Sequence, residues 1–67
     1  MNKTKDGFIG LRVTSSLKEK LEAISEEEAR SLSQICELLL MGGLEVYEKE
    51  GSRYMQRLAR ARAKARQ

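Results

Sequence analysis

The chain contains no histidine and a single cysteine, Cys36. Without imidazole, the bases of Ser-His and Cys-His catalysis and the common transition-metal ligand sets are missing, so no enzyme activity, metal or cofactor is expected. One thiol closes no intrachain disulfide. Cys36 reads as a small apolar side chain in a helix core, because a redox switch needs an exposed thiol of low pKa. Long hydrophobic runs are also lacking. The longest, Leu38 to Leu44, includes two glycines and is too short to span a bilayer. The first seven residues are polar and offer no apolar signal-peptide region, so a cytoplasmic protein without a membrane partner is expected. A 67-residue chain forms one domain at most. With neither disulfides nor metal to staple so small a core, association with a second copy is the remaining route to stability.

Acid is absent from one end. Residues 1–51 hold ten acidic against seven basic side chains, a net −3, whereas residues 52–67 hold six basic side chains and no acid, a net +6. A mildly acidic body with a strongly basic tail points to a polyanionic partner, either nucleic acid or an anionic surface.

Phe8-Ile9-Gly10-Leu11-Arg12-Val13-Thr14 is the one stretch that does not read as helix. Ile9, Leu11 and Val13 alternate with Phe8, Gly10, Arg12 and Thr14, the period of a half-buried strand. No second β-rich run follows to pair with it. The expectation is therefore an antiparallel pairing with the same strand of a second copy across a two-fold axis.

Thr14-Ser15-Ser16 then supplies three N-cap candidates, with Ser16 and Glu19 at capping-box spacing. The helix predicted from here carries an apolar stripe of Leu17, Leu21 and Ile24 and ends near Ala29. Ser31 and Gln34 form a second capping-box pattern that starts another helix at about Leu32. Its apolar residues, from Leu32 through Ile35, Cys36 and Leu38 to Met41, cover nearly the whole circumference, so most of it needs burial, partly against another subunit. Gly42-Gly43 costs roughly 2 kcal/mol relative to two alanines. Either the helix breaks there or the glycines admit a close neighbour; a continuous helix to about Glu50, stopped by Gly51, is the favoured reading. Ser52 is a cap for a third helix, with Tyr54, Leu58, Ala61 and Ala65 on one stripe and Arg53, Arg57, Arg60 and Lys64 on another. This tail is expected to fray and to serve as a phosphate-binding arm outside the fold, the alternative being a helix docked through Tyr54, Met55 and Leu58.

The order I-G-L-R-V-T-S-S-L-K-E-K-L followed by A-R-S-L-S-Q-I-C-E-L-L-L, over Phe8 to about Gly51, resembles the ribbon-helix-helix family of DNA-binding proteins. The resemblance implies a mostly α fold with one N-terminal β-strand, in an intertwined homodimer whose two strands form an antiparallel ribbon in the major groove. Three segments follow: an N-terminal arm over residues 1–7, the ribbon-helix-helix domain over 8–51 and a basic helical tail over 52–67. Mapped by position, Phe8, Gly10 and Arg12 face the bases, and Arg12 has the donor set for guanine O6 and N7. Gly10 departs from the polar residue usual there, as Ala29-Arg30 departs from a turn that often holds glycine. The N-terminus of the second helix, at Ser31, Leu32 and Ser33, would hold a phosphate, and Arg30 adds a charge beside it. Arg53, Arg57 and Arg60 complete the expected phosphate contacts. The function implied is sequence-preferring binding of double-stranded DNA by a homodimer, with possible higher assembly on DNA, as a repressor or a plasmid- or phage-type regulator. The rival readings are an antitoxin-type module with a protein partner, and an RNA- or membrane-surface protein acting through the tail.

Overall fold

The computed structural model describes residues 7–65, which form three helices: α1 (Ser15–Glu28), α2 (Leu32–Glu50) and α3 (Ser52–Ala65). Met1 to Asp6, nearly all of the expected N-terminal arm, lie outside the described residues, as do Arg66 and Gln67 at the end of the tail.

Among the described residues no strand forms, and the expected N-terminal strand and ribbon are corrected to an all-α fold. Residues 7–14 have no regular secondary structure. The physical reason is the one already visible in the composition of the chain. Alternation assigns side chains to faces but supplies no ladder hydrogen bonds, and no other extended segment is available to pair. Phe8, Ile9 and Leu11 are accordingly 93%, 75% and 71% exposed.

Thr14, rather than the Ser16–Glu19 pair, caps α1: its Oγ1 accepts from the backbone N–H of Leu17 at 3.1 Å, and its carbonyl accepts from Lys18 at 3.0 Å. The helix closes with a Schellman-type pair, in which the N–H of Ala29 donates to the carbonyl of Glu26 and that of Arg30 to the carbonyl of Ser25. Closing it this way puts Ala29 in the left-handed region, at φ 56° and ψ 43°, a position glycine fills at less cost.

Ser31 caps α2 with both halves of a capping box. Its Oγ accepts from the N–H of Gln34 at 3.1 Å, and its own N–H donates to Gln34 Oε1 at 3.2 Å. The helix passes through Gly42 and Gly43 without a break and ends at Gly51, whose N–H donates to the carbonyl of Tyr47. Gly51 has φ 69° and ψ −145°, a backbone conformation that side chains strongly disfavour. Its carbonyl accepts from Tyr54, so α3 starts one residue after α2 stops.

α1 and α3 both pack on α2. Leu21 and Ser25 of α1 and Leu32 and Cys36 of α2 are half-buried, and Ile35, 4% exposed, is the one buried hydrophobic side chain among the described residues. The remaining apolar surface lies open. The chain exposes 6581 Å², about half as much again as the roughly 4,300 Å² of a folded monomer of this mass. Its radius of gyration is 13.8 Å, against about 11 Å for a compact domain of this length.

Candidate nucleic-acid interface

The basic tail is not a loose arm. α3 is held to α2 by Tyr54, half-buried with its hydroxyl above Gly43, and by Arg57, whose Nη1 donates to Glu50 Oε1 at 2.8 Å. The Arg57 guanidinium also lies 5.2 Å from the centre of the Tyr54 ring, within cation–π range. One tyrosine and one arginine thus clamp the first two turns of α3 across the Gly51 joint.

At about 100° per residue, Arg53, Arg57, Arg60 and Lys64 fall within a sector of about 60° on α3 and extend about 16 Å along its axis. Tyr54, Leu58 and Ala61 occupy the neighbouring sector toward α2. α3 contains no acid, and the acid nearest to it in sequence, Glu50, pairs with Arg57. Arg53, Arg60 and Lys64 are exposed and make no ion pair among the described residues. Lys64, seven residues after Arg57, stands on the same stripe beyond the three arginines expected to contact phosphate.

The second expected group, at the start of α2, has a more restricted donor set than the sequence implied. The capping box consumes the N–H groups of Ser31 and Gln34, and the Ser31 carbonyl already accepts from Ile35. The N–H groups of Leu32 and Ser33 remain directed out of the helix end, and the Ser31 hydroxyl can still donate. Arg30 is exposed beside them.

Phe8, Gly10 and Arg12 all lie on the exposed segment ahead of α1. The Phe8 ring folds over Gly10, where an added Cβ would come 3.2 Å from Cε2. Gly10 is therefore the seat of a neighbouring ring rather than an open backbone edge, and Arg12 is the long donor that the segment presents. Among the described residues no cluster of acidic or cysteine side chains is arranged to hold a metal ion, and no helix is long and apolar enough to cross a membrane. No protein-family model, curated protein or solved structure matches this chain.

Proposed function

We propose that this chain binds double-stranded DNA as a homodimer, chiefly through phosphate contacts from α3, and acts as a small transcriptional regulator. The observation that carries this reading is the stripe of Arg53, Arg57, Arg60 and Lys64 on a helix without acids, fixed to the body by Tyr54 and the Glu50–Arg57 pair. A fixed ladder of cations suits a regularly charged polymer, because the charges need no ordering when they meet it. The resemblance of the order over Phe8 to about Gly51 to ribbon-helix-helix chains is a second support for a DNA partner, carried by the residue order alone, since no ribbon strand forms among the described residues. Arg12, on the exposed segment, is the side chain suited to a base edge.

Binding of the full chain to duplex DNA, followed by fluorescence anisotropy over a range of salt, tests the proposal. On duplex DNA the slope of log affinity against log salt is about −0.9 per phosphate neutralised. Replacing Arg53, Arg60 and Lys64 with alanine removes three charges per protomer, so the slope flattens by up to about 5 units for a dimer if all six touch phosphate. An unchanged slope refutes the assignment of the stripe to DNA. Stronger retention on single-stranded RNA than on duplex DNA assigns it to RNA.

A further inference from the structure

α2 and α3 diverge from Gly51 and leave between them an open trough of about 450 Å³, lined by Leu39, Leu40, Leu44 and Tyr47 from α2 and by Met55 and Leu58 from α3. These six side chains are 41% to 60% exposed. We propose that the trough is the surface on which a second copy of this chain packs, so that α3 completes the core of the dimer with one face and presents its cations with another. This deepens the homodimer of the proposed function and rests on it.

Three observations select a second copy over other occupants. First, part of the roughly 2,000 Å² by which the chain exceeds a folded monomer of its mass lies on residues 7–14 ahead of α1, and the trough adds six apolar side chains, each 41% to 60% exposed. A chain with one buried hydrophobic side chain among the described residues depends on covering such area to fold, and a second copy is the partner present whenever the chain is. Second, the trough is a poor small-molecule site. It is open along its length, and its polar groups are the two tyrosine hydroxyls, too few to orient a ligand. Third, the charges permit it. Arg53, Arg60 and Lys64 lie on the sector of α3 turned away from Leu58 and Met55, so packing trough to trough does not oppose the two stripes, and Arg62, which lines the Met55–Leu58 face, is the one cation of α3 carried onto it. The isologous contact repeats each apolar side chain on both sides of the two-fold axis.

Concentration-dependent thiol protection tests this on the full-length chain. Cys36→Ser removes the native thiol, and Leu58→Cys then places one in the trough, with Met55→Cys as a second probe should the first fail to associate. Arg60→Cys reports on the outward sector. Above the dissociation constant the monomer fraction falls as the inverse square root of concentration. A hundredfold rise in protein should therefore slow the reaction of the trough thiol with a disulfide reagent by about tenfold, while the Arg60→Cys thiol keeps its rate. Analytical ultracentrifugation of the same samples reports association independently. Dimers whose trough thiols react at an unchanging rate overturn this interface and leave the homodimer standing on another face. A chain that stays monomeric throughout overturns both readings. Protection of Arg60→Cys together with the trough thiols overturns the division of α3 into a covered and a presented face.

Discussion

Leu44→Ala separates a chain that folds by association from one that folds alone. In the single chain Leu44 is 60% exposed, so truncating it would cost under about 1 kcal/mol, as at most surface helical positions. Covered by a second copy, it becomes a core leucine, for which truncation costs at least about 2 kcal/mol, and the two-fold doubles this to about 4 kcal/mol per dimer. Two 67-residue chains unfold with an entropy of roughly 280 cal/mol/K and an enthalpy of roughly 90 kcal/mol near 60 °C. The substitution should then lower the melting midpoint by about 14 °C at fixed concentration. The same enthalpy gives a midpoint that rises by about 5 °C for each tenfold increase in protein, in wild type and variant alike. Circular dichroism melts at three concentrations, run on both proteins, supply every quantity. A concentration-independent midpoint together with a loss of no more than about 7 °C, which is what under about 1 kcal/mol gives for a single chain, refutes the reasoning, because Leu44 would then be as exposed in solution as it is in the single chain.

Ala29→Gly relieves the left-handed conformation that closes α1 and should stabilise the protein by about 0.5–1 kcal/mol, measured by urea unfolding; destabilisation would mean that α1 does not end in that geometry. Gly51→Ala should do the reverse, costing about 1 kcal/mol or more and loosening α3 from α2, visible as faster amide exchange in α3. Ser31→Asp keeps the capping acceptor but sets a negative charge beside the Leu32 and Ser33 N–H groups. Stability should hold within about 0.5 kcal/mol, and weaker DNA binding is expected; undiminished binding removes the α2 N-terminus from the contact. Arg12→Ala should cost about 1–3 kcal/mol on a preferred DNA site and little on random sequence. An equal loss on both reassigns Arg12 to phosphate.

The helix boundaries were legible because each is written in local chemistry. Ser31 and Gln34 satisfy one another's backbone groups three residues apart, and Gly51 has the freedom that the α2–α3 joint requires. Thr14 won over Ser16 because its side chain and carbonyl together start the helix earlier. The strand was misread for a physical reason: Ile9, Leu11 and Val13 specify a face, but a strand is stabilised by its partner, and pairing is not a property of one segment. The basic stripe could be counted from spacing alone. Its attachment could not, since the contacts of Tyr54 with Gly43 and of Arg57 with Glu50 depend on the angle at which one glycine sends α3 away from α2.

That joint works like an index pin. Most connections between helices have slack, and a residue gained or lost in them is absorbed. Here Gly51 alone separates Glu50 from Ser52, so the rotational phase of α3 is geared to that of α2. An alanine inserted after Gly51 would turn α3 by about 100° and advance it by about 1.5 Å. Arg53, Arg57, Arg60 and Lys64 would keep their spacing and charge yet point elsewhere, with Tyr54 carried off Gly43 and Arg57 off Glu50. The length of this joint, more than the identity of any single arginine, decides which way the charge of the protein faces.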